Sequence, residues 1–281
     1  MLLERAEVAF DFDWEIRPHL PQRAPSLRWI QATSSGIGRQ LDEMGLSGSG
    51  IRVTNAAGIH AEPLAEFVLM AALHFATEMP RMTRWKQERH WERFCRRELA
   101  GSRMVLIGLG KVGSRIAELS AAIGIEVIGH RRSTDGDLPP GVTSLVDRSD
   151  LDGVLPDADL LVIAAPETAD TRRLFDRRRL GLLPAHAVLI NVGRGSLVDE
   201  AVLVEMLQTG RLGGAALDVF EREPLPAESP LWTLPNVIVS PHSASTVARE
   251  NDRLVDLFIE NLRRYLDGRP LVNEFDQARN Y

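Results

Sequence analysis

The chain has 281 residues, of which 44% are hydrophobic and 26% are charged, and its formal net charge is −6. This length fits two domains, and the composition is that of ordinary globular proteins. The acidic balance disfavours general nucleic-acid binding. A single cysteine, Cys95, excludes an internal disulfide framework, and no apolar run reaches the roughly 20 residues of a membrane helix. No residue cluster has metal-ligand spacing, so we expect no bound metal. The single cysteine fits a reducing cytoplasm, and we expect neither a membrane nor a nucleic-acid partner.

The middle of the chain alternates short apolar runs with helix-length segments such as 112–123 and 199–208. Runs rich in Val, Ile, Leu and Ala, without polar alternation, are typical of strands that are covered on both faces of a parallel sheet. This alternation predicts an α/β dinucleotide-binding domain with a doubly wound parallel sheet, which we place at residues 76–248. Its six predicted strands are 104–108, 126–129, 160–164, 188–192, 215–219 and 237–240.

The two flanks, residues 1–75 and 249–281, are predicted to form a second, smaller and discontinuous substrate domain. Helical spacing in the C-terminal flank predicts a helix that packs back on the N-terminal part. We expect the ligand site in a cleft between the two domains, where such sites often lie. The predicted elements of the flanks are strands at 6–10, 26–33 and 52–55, a long apolar helix at 62–74 and a helix at 248–266.

A glycine motif follows the first strand of the central domain and opens a helix. In GLGKVG, Gly108 permits a tight turn, Gly110 lets the backbone approach a pyrophosphate, and Gly113 lets the helix pack closely on the strand. The helix start, with the backbone N–H groups of Lys111 and Val112, adds a favourable site for phosphate. The motif predicts dinucleotide binding; the alternative is a merely tight strand–helix turn.

Three residues with complementary chemistry follow later strands: Arg194, Glu223 and His242. Loops at the carboxyl ends of parallel strands line the ligand crevice, so we expect all three to face the glycine loop. His242 suits a general acid, and Glu223 can orient its imidazole and stabilise the imidazolium. Arg194 can bind a substrate carboxylate through a bidentate fork. The alternative is that these are ordinary structural or solvated side chains.

The chain resembles the D-isomer-specific 2-hydroxyacid dehydrogenase family along nearly its whole length. The resemblance rests on GLGKVG, LINVGRGSLVDEAVL, DVFEREPLP and SPHSAS, among other segments. It implies a Rossmann nucleotide domain with a flavodoxin-like substrate domain, and it makes Arg194, Glu223 and His242 the catalytic residues. The most similar subgroup is that of glyoxylate and hydroxypyruvate reductases.

The same resemblance implies further binding residues. Asp218 matches an aspartate near the nicotinamide carboxamide, and the loop SSGIG at 34–38 matches one that holds the substrate carboxylate through backbone amides, here those of Ser35 and Gly36. Arg194 and His242 would also contact the substrate. The other implied cofactor contacts are Ala165, Pro166, Thr171, Val192, Gly193, His242 and Ala244.

Family members are usually homodimers, which implies contacts around residues 84–94. Alternatively, this stretch is a charged helix face with Trp85 and Trp91 in the core. The family's substrate domain also begins with a strand and a helix that precede AEVAF (6–10), so we expect a reduced sheet with an uncovered edge. A misassigned start codon, a shortened chain and a natural variant are the three open explanations.

The segment VIGHRRS bears on the choice of cofactor. Arg131 lies eighteen positions beyond Gly113, where an NAD-type site presents an acidic residue to the ribose. Arginine removes that acceptor and adds a charge-assisted fork for a 2′-phosphate, which Arg132 and Ser133 can complete. We therefore predict a preference for NADPH, with NAD also possible. The alternative is that these are exposed arginines of an arginine-rich chain.

Together these features predict an oxidoreductase that transfers hydride between NAD(P)H and a small 2-oxoacid such as glyoxylate or hydroxypyruvate. Two alternatives remain open. One is a non-enzymatic, nucleotide-sensing protein of the corepressor kind, and the other is a phosphoglycerate-type dehydrogenase.

Overall fold

The computed structural model describes residues 3–11, 20–37, 41, 43–46, 48–132 and 136–275. Contacts divide the chain into two compact units: a flanking unit of residues 1–60 and 247–281, and a central unit of residues 61–246. The sequence placed the first domain boundary after residue 75, whereas here the boundary follows residue 60. The difference is the helix at Ala61–Ala76, which packs within the central unit.

The flanking unit begins with a three-stranded parallel sheet in the order β1-β2-β3. All three strands lie within the segments predicted from the sequence. After a single 3-10 turn at Leu3–Arg5, its elements are β1 (Val8–Phe10), α1 (Leu20–Arg23), β2 (Trp29–Gln31) and β3 (Arg52–Thr54).

The central unit is built on a seven-stranded parallel sheet in the order β10-β9-β8-β7-β4-β5-β6. The strand order reverses between β4 and β7, which is the switch point where α/β sheets bind ligands. The doubly wound fold is therefore confirmed. The strands are β4 (Arg103–Ile107), β5 (Glu126–His130), β6 (Ser144–Val146), β7 (Leu160–Ile163), β8 (Val188–Asn191), β9 (Gly214–Leu217) and β10 (Val237–Val239).

The prediction of six strands in this sheet was wrong by one, because β6 was missed. This strand has three residues at the sheet edge, and only Leu145 and Val146 are apolar. Ser144 is exposed, and the other two are only partly buried. Since β6 is not covered on both faces, it lacks the apolar run that marks the inner strands.

The helices of the central unit cover both faces of its sheet. On one face Met104 and Leu106 of β4 pack with side chains of α2 and α4, and on the other Val105 and Ile107 pack against α5, α6 and α7. Each large apolar side chain buried in this way contributes about 1.5–3 kcal/mol. The helices are α2 (Ala61–Ala76), α3 (Met79–Glu88), α4 (Lys111–Ala122), α5 (Leu151–Val154), α6 (Arg177–Leu180) and α7 (Glu200–Gln208), with 3-10 turns at Leu155–Asp157, Gly195–Leu197 and Pro230–Trp232.

Helix α8 (Glu250–Leu266) returns the chain to the flanking unit, as predicted. Its Asn261 is buried and donates through Nδ2 to Gln31 Oε1 at 2.9 Å, while Phe258 and Tyr265 stack on Trp29. No described helix, this one included, is long and apolar enough to cross a membrane.

Residues 79–98, called the arm here, combine α3 with an irregular segment. Trp85 is half-buried and packs edge-on against His90 and Phe94, with the Arg81 guanidinium over its ring. Trp91 is 96% exposed. The alternative interpretation of Trp91 as a core residue is therefore wrong, because α3 ends at Glu88 and Trp91 lies in the irregular segment that follows.

Candidate active site

The glycine loop joins β4 to α4 and has the shape that a pyrophosphate requires. Gly108 has φ +92°, and a Cβ there would lie 2.8 Å from the Ala165 Cα. A Cβ on Gly113 would collide with the Gly108 carbonyl oxygen. Gly110 is the N-cap of α4, and a Cβ there would meet no atom within 4 Å, so a ligand can approach the backbone at the start of this helix. The residues present therefore fit a dinucleotide phosphate.

The loop after β7 lies beside this glycine loop because β7 and β4 are neighbours in the sheet. Thr171 closes the loop by donating its hydroxyl to the Pro166 carbonyl at 2.8 Å. Ala165 is buried against Gly108, whereas Pro166 is exposed. The predicted cofactor residues of this segment thus lie at the switch point of the sheet.

Arg194 follows β8 on a loop that is held by the last residue of that strand. Asn191 is 1% exposed; its Oδ1 accepts the Gly193 N–H and its Nδ2 donates to the Arg194 carbonyl, both at 3.0 Å. The Arg194 guanidinium donates to the Gly193 carbonyl at 2.7 Å. Val192 and Gly193, the first two residues of this loop, are buried, so the start of the loop is anchored in the core.

His242 and Glu223 form a direct pair, although they lie on different loops. His242 Nδ1 and Glu223 Oε2 are 2.8 Å apart, and Glu223 Oε1 accepts the Phe220 N–H at 3.0 Å. With a carboxylate as partner, Nδ1 is the nitrogen that carries the hydrogen and donates it, which leaves Nε2 for proton transfer. Both side chains are accessible, with 49% of His242 and 37% of Glu223 exposed.

Asp218 follows β9 directly and is 2% exposed. Its Oδ1 accepts three hydrogen bonds, from the Ser240 hydroxyl at 2.6 Å and from the N–H groups of Ser243 and Ala244 at 2.9 Å each. Its carbonyl accepts the His242 N–H at 3.0 Å. Asp218 therefore holds the loop after β10 on both sides of His242.

The segment that bears on cofactor choice ends β5. Burial lowers the pKa of the His130 imidazole and the nearby Arg179 guanidinium lowers it further, so this histidine favours the neutral form. Arg131 is half-buried, and its N–H donates to the Val146 carbonyl at 3.4 Å, while Arg132 is exposed. Ser133 lies outside the described residues.

The predicted substrate loop belongs to the flanking unit. Ser35 and Gly36 are exposed after β2, and Ser34 accepts the Ala56 N–H through its carbonyl at 3.1 Å. Gly38, at the end of this loop, lies outside the described residues. The role of Ser35 and Gly36 in substrate binding stays a prediction.

A cavity of about 200 Å³ lies at the amino-terminal edge of the central sheet, opposite the glycine loop. Phe75, Leu99, Asp159 and His186 are among its lining residues, and Asp159 already pairs with His186 at 3.0 Å. It contains none of the predicted site residues. In the described part of the chain, no group of three or more His, Cys, Asp or Glu residues could hold a metal ion.

Sequence reasoning missed Asn191, which the structure places beneath the Arg194 loop. One signal was available: in VLIN a polar residue ends an otherwise apolar, fully covered strand. A buried amide needs hydrogen-bond partners, and here the partners are backbone groups of the following loop.

Comparison with known proteins places this arrangement in a family. The model of the NAD binding domain of D-isomer specific 2-hydroxyacid dehydrogenases matches residues 69–244. A glyoxylate reductase of Aeropyrum pernix is 33% identical over 259 residues, which are 89% of this chain and 76% of that protein. A glyoxylate/hydroxypyruvate reductase A of Arabidopsis thaliana is 34% identical over 255 residues, 88% of this chain and 78% of that protein.

Among the solved structures that are similar over almost the whole chain, two illustrate the likeness. An NADPH-dependent glyoxylate/hydroxypyruvate reductase of Sinorhizobium meliloti, in complex with NADP and sulfate, has a TM-score of 0.86 and 30% identity, covering 100% of this chain and 89% of that one. A D-isomer specific 2-hydroxyacid dehydrogenase of Xanthobacter autotrophicus, in complex with NADPH and MES, has a TM-score of 0.86 and 33% identity, covering 99% and 86%. The chain therefore belongs to the D-isomer specific 2-hydroxyacid dehydrogenase family and is an NAD(P)-dependent oxidoreductase.

Proposed function

We propose that the protein reduces small 2-oxoacids, such as glyoxylate or hydroxypyruvate, to D-2-hydroxyacids with NADPH. The observation that carries this proposal is the His242–Glu223 pair at 2.8 Å, on loops at the same sheet edge as the glycine loop. The substrate class is supported by the reductases of similar sequence from Aeropyrum pernix and Arabidopsis thaliana.

A reduced nicotinamide cofactor, held by the glycine loop, would supply the hydride for the substrate's carbonyl carbon. His242 donates the proton from Nε2 to the carbonyl oxygen as negative charge develops there. Glu223 holds the ring through Nδ1 and stabilises the imidazolium before the transfer. Arg194 exchanges its bond with the Gly193 carbonyl for a bidentate bond with the substrate carboxylate.

We propose NADPH as the preferred cofactor because of the charges that follow β5. Arg131 and Arg132 stand where an acidic residue would accept hydrogen bonds from the ribose hydroxyls, and they offer guanidinium groups to a 2′-phosphate instead. The reductase from Sinorhizobium meliloti with NADP and the dehydrogenase from Xanthobacter autotrophicus with NADPH support this choice.

The test is steady-state turnover of a panel of 2-oxoacids with NADPH and NADH, for the wild type and for His242→Ala. We expect His242→Ala to lower kcat/KM about 10³-fold, the size of a lost general acid. His186→Ala is the matched control, because His186 also pairs with a carboxylate at 3.0 Å but lies at the opposite sheet edge. If His242→Ala turned over 2-oxoacids nearly as fast as the wild type, the proposed mechanism would be ruled out.

The same panel separates the alternatives. Tight NADPH binding without oxidation of the cofactor by any 2-oxoacid would indicate a nucleotide sensor. If 3-phosphoglycerate is added to the panel with the oxidised cofactors, its preferential oxidation would indicate a phosphoglycerate-type dehydrogenase. The accessible His242–Glu223 pair favours an enzyme, since a sensor has no use for a proton donor.

We also propose that two copies of the chain associate through the arm. Trp91 is 96% exposed and Met79 is 41% exposed, and on α2 Met70 and Leu73 are 43% and 48% exposed. Met70 and Leu73 are three residues apart on α2 and so share a face, and neighbouring exposed apolar side chains mark interaction sites. Light scattering should find a dimer for the wild type and a shift toward monomer for Trp91→Ser. Trp232→Ser, which changes a 50% exposed tryptophan elsewhere, should leave the mass unchanged.

A further inference from the structure

Two buried polar residues stand at the carboxyl ends of β8 and β9, directly below the proposed catalytic loops. Asn191 is 1% exposed and Asp218 is 2% exposed. Burying an amide or a carboxylate is unfavourable unless hydrogen bonds compensate the lost water. The partners of these two side chains therefore show what the side chains are for.

Both polar atoms of the Asn191 side-chain amide bind the loop that follows β8. Its Oδ1 accepts the Gly193 N–H and its Nδ2 donates to the Arg194 carbonyl, each at 3.0 Å. The two bonds bracket the peptide between Gly193 and Arg194. They determine where the arginine side chain leaves the backbone.

Asp218 does the same for the loop that carries His242. Its Oδ1 binds Ser240, Ser243 and Ala244, and its carbonyl binds the His242 N–H. His242 has φ +53°, a left-handed conformation that is uncommon for residues other than glycine. Such a conformation persists where surrounding bonds hold it, and here Asp218 provides them on both sides.

The two anchors are themselves joined, because the Asp218 N–H donates to the Asn191 carbonyl at 3.0 Å. Hydrogen bonds, together with the covalent structure of Asn191 and Asp218, thus connect the Arg194 backbone to the His242 backbone. We propose that Asn191 and Asp218 are a positioning pair that sets the placement of Arg194 relative to His242.

This inference rests on the proposed function, in which Arg194 holds the substrate carboxylate while His242 protonates the adjacent carbonyl oxygen. The two side chains must then be correctly placed toward one small molecule at the same time. A displacement of about 1 Å in such a site can cost about 100-fold in rate. The pair acts through Arg194 and His242 and does not itself need to touch the substrate.

The first test compares Asn191→Ala with Asn236→Ala. Asn236 is the matched control, because its Nδ2 also donates to a backbone carbonyl, that of Leu207 at 3.3 Å, but before β10 at the opposite sheet edge. We expect Asn191→Ala to lower kcat by about 100-fold, with the Kd for NADPH from fluorescence titration and the circular dichroism spectrum close to those of the wild type. Asn236→Ala should keep its kcat. A kcat of Asn191→Ala close to that of Asn236→Ala would overturn the proposal.

The second test uses Ser240, which donates to Asp218 but was not predicted to bind cofactor. Ser240→Ala should lower kcat by about tenfold, and Ser240→Thr, which keeps the hydroxyl, should restore most of it. Asp218→Asn keeps an acceptor oxygen and should be far more active than Asp218→Ala. Equal losses in the Thr and Ala variants would overturn the positioning role, and these mild variants keep the test decisive if Asn191→Ala does not fold.

A double-mutant cycle tests whether the Asn191 and Asp218 anchors act on one common arrangement. Because both act on one arrangement, the loss in kcat for Asn191→Ala with Ser240→Ala should be smaller than the product of the single losses. A strictly multiplicative loss would overturn the linked pair. Failure of the proposed function is distinguishable, since it appears as wild-type turnover in His242→Ala, whatever the behaviour of Asn191.

Discussion

At the carboxyl edge of the central sheet, the loops after β8, β9 and β10 are held differently from the segment after β5. Under β8, β9 and β10, buried polar atoms hold the loops of Arg194 and His242 through hydrogen bonds of 2.6–3.0 Å. Beyond β5, the Arg131 N–H donates to the Val146 carbonyl of the short edge strand β6 at 3.4 Å. Proton transfer depends steeply on position, whereas the attraction between a guanidinium charge and a phosphate falls off gradually with distance. We therefore expect substitutions to matter more in the loops after β8, β9 and β10.

After His242→Ala, the largest effect is expected for Arg194→Lys. Lysine keeps the positive charge but loses the planar fork that binds a carboxylate at two points. We expect kcat/KM for glyoxylate to fall by about 10²–10³-fold, as measured by steady-state kinetics. Arg173→Lys is the control, because Arg173 is 63% exposed and its ion pairs with Asp199 and Glu221 are long, at 4.0 and 3.7 Å. Equal activity of the two variants would contradict the role of Arg194.

A smaller effect is expected for Glu223→Gln. The amide oxygen can still accept the Phe220 N–H, so the loop keeps its shape, but the charge that stabilises the imidazolium of His242 is lost. We expect kcat to fall by about 10–100-fold with little change in the melting temperature. Glu221→Gln, two residues away on the same exposed loop, should stay near the wild type. Full activity in Glu223→Gln would show that its charge is dispensable.

In the segment after β5, Arg131→Asp tests cofactor choice. The acidic side chain repels a 2′-phosphate and restores an acceptor for the ribose hydroxyls. The ratio of the Kd values for NADPH and NADH, from fluorescence titration, should rise about tenfold or more. Arg211→Asp makes the same charge reversal before β9, at the amino-terminal edge, and should leave the ratio unchanged. If Arg131→Asp keeps the NADPH preference, the arginine does not select the cofactor.

The smallest effect concerns His130 and the dependence of stability on pH. Burial lowers the pKa of this imidazole in the folded chain, so the unfolded chain takes up the proton first as the pH falls. Its share of stability is complete above the unfolded pKa of about 6.5 and is lost as the pH falls from there toward the lower folded value. His130→Phe should therefore reduce the drop in melting temperature between pH 7.5 and pH 5.5, by about 1–2 °C. A drop as large as that of the wild type would contradict the prediction.

Much of this edge could be predicted from the sequence because its signals are local. Gly113 must lack a Cβ where the helix meets Gly108, and the covered strands show as apolar runs whose ends mark the loops of Arg194, Glu223 and His242. The signal failed where burial is incomplete. The strand Ser144–Val146 is short and half-exposed, and the exposure of Trp91 depends on α3 ending at Glu88.

By itself, then, the sequence determined the alternation of strands and helices, the glycine cradle and the identity of the residues at the strand ends. These follow from side-chain volume, backbone freedom and apolar periodicity, which act over a few residues. Only the tertiary structure decided that Asn191 and Asp218 are joined and that Glu223 meets His242 at 2.8 Å. Such contacts arise when parallel strands that are distant in the chain become neighbours, and hydrogen-bond geometry then selects which polar groups can be buried together.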